Sequence, residues 1–154
     1  IMFSKAEKKQ MNIAFWDGFK QYMKSSKSSV LPRVNWLSYP TDLKHAYLRL
    51  FCNETTSALR FDIQLKDEDI RMLFWDQLIE LKTLLNKTMN TETLWVKNIE
   101  VDGALISRIH WESNEWSLYN TKDWRKIYRY LKERLLEFDL FYQEYKEILI
   151  NLIK

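Results

Sequence analysis

The last third of the chain constrains the fold most. Trp124, Ile127, Tyr128, Leu131, Leu135, Phe138, Tyr142, Tyr145, Leu149 and Leu152 recur at three- and four-residue steps. That spacing lays one apolar stripe along a single α-helix. Asn120 is a suitable cap for a helix starting near Thr121. At 1.5 Å per residue such a helix is about 48 Å long, more than a small domain is wide. Its far end must therefore dock on the same chain or on another copy. A homodimer through this C-terminal helix is one solution. The N-terminal helix is the competing cover.

That N-terminal helix is expected from Ser4 to Met23, with Met11, Ala14, Phe15, Phe19 and Tyr22 on one face. Ser4 followed by Glu7 reads as a capping box. Gly18 falls on the opposite side, where it weakens the helix by up to about 1 kcal/mol against Ala. Three strands follow: Val34 to Tyr39, His45 to Cys52 and Ala58 to Leu65. The last alternates, with Leu59, Phe61, Ile63 and Leu65 opposed to Arg60, Asp62 and Gln64. A second helix is expected from Asp67 to Met89, with Ile70, Leu73, Phe74, Leu78, Leu81 and Leu85 as its stripe. Trp95 to Val101 and Ala104 to Trp111 make a hairpin across Asp102-Gly103. Ser117 to Tyr119 adds a short strand. The reading is α+β, one domain over residues 2–154. It has three helices and an antiparallel-rich sheet of three strands plus a hairpin, in the order α-β-β-β-α-β-β-α.

Composition removes several function classes. Gly18 and Gly103 are the only glycines in 154 residues. A dinucleotide fingerprint or a P-loop needs more, so that backbone can approach phosphate. Cys52 is the single cysteine, which excludes an intrachain disulfide and a four-cysteine zinc site. It lies on the apolar side of its strand, as an inert thiol would. The net charge of +3 is too weak to specify a partner. No apolar run approaches the roughly 18 residues of a membrane span. The N-terminal stretch is polar, unlike a signal peptide. A cytoplasmic protein without a membrane partner is expected.

Charge placement says more than charge total. Lys122, Arg125, Lys126, Arg129 and Lys132 fall on one stripe at the start of the C-terminal helix. Cations there oppose the helix dipole, at some tenths of a kcal/mol each. A stripe of this kind suits phosphate contacts, so nucleic acid is a candidate partner. Its ordinary alternative is a solvated ridge. Trp75, Trp95, Trp111, Trp116 and Trp124 are either stacking surfaces for bases or core residues. Trp75 stands off its helix's stripe.

The polar face of the sheet is the second candidate. His45, Tyr47 and Arg49 would lie beside Arg60, Asp62 and Gln64, with Arg108 and His110 on the hairpin. That is either a binding groove or a set of cross-strand ion pairs. The element order also matches a restriction-nuclease core, which holds Mg²⁺ between an acid on the second strand and an Asp/Glu-x-Lys on the third. Here the third strand offers Asp62-Ile63-Gln64. Lysine is missing, and the nearest preceding acid is Glu54, in a turn. The primary expectation is therefore a non-enzymatic accessory or binding module for protein or nucleic acid, with no catalytic residues, metal or cofactor. The alternative is a divergent Mg²⁺-dependent enzyme using Asp62 and Gln64.

Several stretches together resemble a known family. They are Asn35-Trp36-Leu37-Ser38-Tyr39, Lys44 through Leu50, Arg71-Met72-Leu73-Phe74 with Gln77-Leu78 and Leu81-Lys82, Ile106 through Ile109, Asn120 through Trp124, and Leu136-Phe138-Asp139. The chain resembles the bacterial domain of unknown function 4268 family over nearly its whole length. The family usually carries Thr-Gly where this chain has Thr41-Asp42, and often Asp in the turn that is here Asn53-Glu54. The resemblance implies a fold but no activity. It also implies a place at the C-terminal end of longer proteins with nuclease-like N-terminal parts, which leans toward nucleic-acid defence or repair.

Overall fold

A computed structural model of the chain describes residues 2–154. Helix α1 spans Lys5–Tyr22, capped by Ser4 in the expected capping box with Glu7. Strands β1 (Ala46–Cys52) and β2 (Ser57–Ile63) follow, then helices α2 (Glu68–Glu80) and α3 (Lys82–Thr88). Strands β3 (Leu94–Val101) and β4 (Ala104–Ser113) form the hairpin, and α4 (Trp124–Ile153) ends the chain. The sheet is antiparallel throughout, in the order β1-β2-β4-β3. The α+β class holds, with four helices and four strands among the described residues.

Three expectations about the elements are corrected. Val34 to Tyr39 is not a strand. The Asn35 side chain accepts the Leu37 N–H, and a 3-10 turn forms over Trp36–Ser38, burying Trp36 and Tyr39. With that strand absent, the nuclease-core element order is absent too. Ser117 to Tyr119 is a turn rather than a strand. The second helix breaks at Leu81, whose backbone sits at φ −90° and ψ 1°. No glycine or proline marks that break; Leu81 and Leu85 are both buried across it.

Register places the core. Leu48 faces Phe61, Phe61 faces Ile109, and Leu59 faces Trp111, so these side chains share one side of the sheet. Phe61 packs on Phe74 of α2 and on Phe138 and Tyr142 of α4. The α2 face is Arg71, Phe74, Trp75 and Leu78, while Leu73 of the expected stripe is half exposed. Trp75 thus belongs to the core, edge-on to Trp95 at 5.5 Å. Arg71 disguised that face in the sequence; its guanidinium donates to the Leu65 carbonyl at 2.9 Å.

Helix α4 docks along its own chain. Its first turns pack on α1 through Phe15, Trp124 and Tyr128. Its later turns pack on the sheet through Phe61 and on the segment before β1. Tyr142 donates its hydroxyl proton to the Thr41 carbonyl, and Lys146 pairs with Asp42 at 3.3 Å. Phe141, Tyr142 and Leu149 are buried, and Leu140 and Ile148 stay exposed. Gly18 is not on a free side of α1. It faces Tyr128, whose hydroxyl donates to the Phe15 carbonyl at 2.5 Å.

Candidate nucleic-acid interface

The loop after β4 and the start of α4 are tied together by backbone-directed bonds. Asn120 accepts the Lys122 N–H, and a 3-10 turn over Thr121–Asp123 leads into the helix. The Trp124 indole donates to the Leu118 carbonyl at 2.6 Å, and Asp123 accepts the Ser117 N–H at 3.0 Å. These bonds hold Trp116 beside the first turns of α4. Ile127, Tyr128 and Leu131 take the buried side. The helical period then turns Lys122, Arg125, Lys126 and Arg129 outward, and all four are exposed.

A groove of about 440 Å³ lies along this ridge. Its lining is Lys122, Arg125, Lys126 and Arg129 with Trp116 and Tyr130, and Glu133 one turn further on. The two aromatic rings meet edge to face at 6.0 Å. Tyr130 is backed by the Arg134 guanidinium at 4.9 Å, and Arg134 is itself fixed by Glu137 at 2.7 Å. Burial pushes the Tyr130 phenol above its ordinary value. Among the described residues, none of the four lining cations comes within 4.0 Å of a carboxylate. Unpaired cations at the positive end of a helix dipole lower stability unless an anion faces them. Lys132, expected in the same stripe, is drawn aside: its ammonium lies 5.5 Å from the Tyr22 ring of α1. Sequence reasoning had Trp116 only as one of five scattered tryptophans and missed Tyr130. Its position four residues after Lys126, at the margin of the basic stripe, was the available signal.

The polar face of the sheet is built differently. Tyr47 stands opposite Asp62, Arg49 opposite Arg60, and Arg60 opposite His110. Asp62 is only 1% exposed, because β2 is an inner strand and arginine side chains roof it. Arg108 binds it at 2.7 and 3.1 Å and Arg49 at 3.1 Å. Arg49 also donates to Gln64 at 2.5 Å and lies over the Tyr47 ring at 4.5 Å. Arg60 stacks on Phe51 at 3.8 Å, and burial lowers its pKa, with the Arg108 guanidinium adding to the effect. His110 sits 3.2 Å from Glu112, yet burial lowers its pKa too. His45 is set apart: it precedes β1, is exposed, and has a left-handed backbone at φ 66°.

A Mg²⁺ ion does not fit Asp62 and Gln64. Both Asp62 oxygens and the Gln64 carbonyl already accept guanidinium protons, so a cation would have to displace two arginines. Among the described residues no cluster of three His, Cys, Asp or Glu could hold a metal. Cys52 lies 3.6 Å from Ser57, and burial pushes its thiol up to about 11. It is a poor nucleophile near neutral pH.

The family model described as a domain of unknown function (DUF4268) matches residues 11–146. The chain belongs to that family. The DUF4268 match runs from within α1 to Lys146 of α4, so it covers the sheet and the basic groove together. No curated protein and no solved structure matches the chain. Asp42, where the family resemblance led one to expect glycine, adopts a left-handed φ of 59°. That conformation is the physical reason a glycine suits the position. Among the described residues no helix is long and apolar enough to cross a membrane.

Proposed function

We propose that this chain is a non-enzymatic binding module for nucleic acid, with the α4 groove as its contact surface. The observation that carries the reading is the set of four unpaired, exposed cations sharing one groove with Trp116 and Tyr130. Lysine and arginine supply phosphate contacts, and aromatic rings supply stacking. An accessory role in a bacterial cytoplasm fits this reading and forms part of the proposal. The nuclease-like alternative has no observation in its favour, since the carboxylate it needs is roofed by two arginines.

The test is fluorescence anisotropy with labelled DNA at about 50 mM salt, where phosphate contacts are strong. The wild-type chain is expected to bind, and the Arg125→Glu/Arg129→Glu variant to lose at least tenfold in affinity. Both positions are exposed, so the variant should keep its far-UV circular dichroism. A wild-type chain with no affinity for duplex or single-stranded DNA would refute the proposal.

A further inference from the structure

A second basic groove, of about 560 Å³, lies where α1 ends. Lys20, Lys24, Lys27 and Arg33 line it over a floor that includes Met23 and Trp36, and no carboxylate is among its lining residues. All four cations are exposed, and none is ion-paired among the described residues. The loop that forms this groove is held rigidly. Asp139, 1% exposed, accepts from the Ser28 hydroxyl at 2.7 Å, the Ser29 N–H at 2.7 Å, the Ser29 hydroxyl at 2.9 Å and the Tyr39 hydroxyl at 2.6 Å. The Trp36 indole donates to the Ser26 carbonyl at 3.3 Å. A basic surface fixed in this way loses little entropy on binding.

The end of α1, which borders the second groove, comes beside the far end of the α4 groove. Phe15 meets Trp124, Tyr22 meets Tyr128, and Lys132 reaches Tyr22, so α1 runs in the same direction as the first half of α4. A path along the α4 ridge from Lys122 reaches Lys132, then the last turn of α1, then the loop that Asp139 anchors. Lys132 therefore occupies the gap between the grooves rather than either of them.

We propose that single-stranded nucleic acid is the ligand, running from the α4 groove past Lys132 into the groove at the end of α1. The inference rests on the nucleic-acid reading above and adds the form of the ligand and its course. From Lys122 to Asp139 the helix rises about 25 Å. An extended single strand, at about 6 Å per phosphate, covers that in about four nucleotides. This lies at the lower end of the usual range of about 4–16 for a single-strand site. A duplex is too stiff to follow two concave grooves over so short a distance, and its stacked bases are closed to Trp116 and Tyr130.

The experiment compares oligothymidylates of about 3 and about 15 nucleotides, and a duplex of the longer length, at about 50 and 200 mM salt. The wild-type chain should bind the longer strand at least tenfold more tightly than the shorter strand or the duplex. Replacing Lys20, Lys24, Lys27 and Arg33 by Ala should weaken binding of the longer strand about tenfold or more and spare the shorter one. The salt dependence, at about 0.7 per phosphate contact, should flatten by up to about 3. Removing Lys66, Lys87 and Lys97, exposed cations off the path, should leave that slope unchanged. Equal binding of duplex and single strand, or an unchanged slope in the four-site variant, would overturn this inference while leaving the α4 groove as a contact surface. Absence of binding by the wild-type chain to every probe would overturn the function reading as well.

Discussion

Replacing Gly18 by Ala separates sequence logic from tertiary logic. In an isolated helix the change should stabilise by up to about 1 kcal/mol, because Ala is the best helix former and Gly nearly the worst. In the folded chain a Cβ at this position collides with the Tyr128 hydroxyl. That hydroxyl is bonded to the Phe15 carbonyl, and the Tyr128 ring is wedged among Phe15, Phe19 and Tyr22. Overpacking of a buried site costs about 1–3 kcal/mol. Displacing the hydroxyl forfeits a hydrogen bond of about 0.5–1.5 kcal/mol. Offset by the helix gain, the net expectation is a loss of about 1–3 kcal/mol, read as a lower urea midpoint at unchanged slope. Tyr128→Phe removes the colliding atom. The Phe15 carbonyl keeps its helical bond, so this change alone should cost only about 1 kcal/mol. In the Tyr128→Phe background the Gly18→Ala penalty should shrink by at least about 1 kcal/mol, a coupling that a double-mutant cycle measures directly. A Gly18→Ala variant more stable than wild type, or additive costs in the cycle, would refute the reasoning.

Three further outcomes are expected. Asp42→Gly should stabilise by about 0.5–1 kcal/mol, since relief of the left-handed backbone outweighs one exposed ion pair to Lys146, and thermal denaturation checks it. Burial raises the pKa of Tyr39, Tyr128 and Tyr142 above the free value of 10.0, that of Tyr128 to about 12. The fold favours their neutral form, so this contribution is complete below pH 10 and lost as pH climbs through 12; a urea midpoint that holds steady over that range would contradict it. The remaining exposed apolar side chains at the end of α4 are Leu140 and Ile148, too few to demand a partner, so light scattering at micromolar concentration should give the 18.9 kDa monomer. A dimer that Ile148→Glu dissociates would restore the homodimer expectation.

The parts of the fold that could be read in the sequence were those with local causes. The capping box at Ser4, the Asp102-Gly103 turn and the long stripe of α4 each depend on residues within a turn or two, and each is where the pattern placed it. Misreadings arose where a distant contact decided. Val34 to Tyr39 has strand-like residues, yet its place is fixed by Tyr39 reaching Asp139 on α4. Gly18 looks like a defect until Tyr128, far along the chain, is set against it. Asp62 falls on a polar strand face with ion pairs as one reading, but its burial was not legible: pairing on both sides of β2 and two arginines close over it. The site divides along the same line. The four cations of the α4 groove follow from helical period, a local property. That they face Trp116 and Tyr130 follows from the Trp124–Leu118 and Asp123–Ser117 bonds, which fold the preceding loop back on the helix. Lys132 shows the limit: period alone assigns it to the stripe, and only the approach of α1 turns it to Tyr22. The diversion has two consequences. It removes one cation from the groove and sets it at the junction with the basic loop, which is why the two surfaces read as one path.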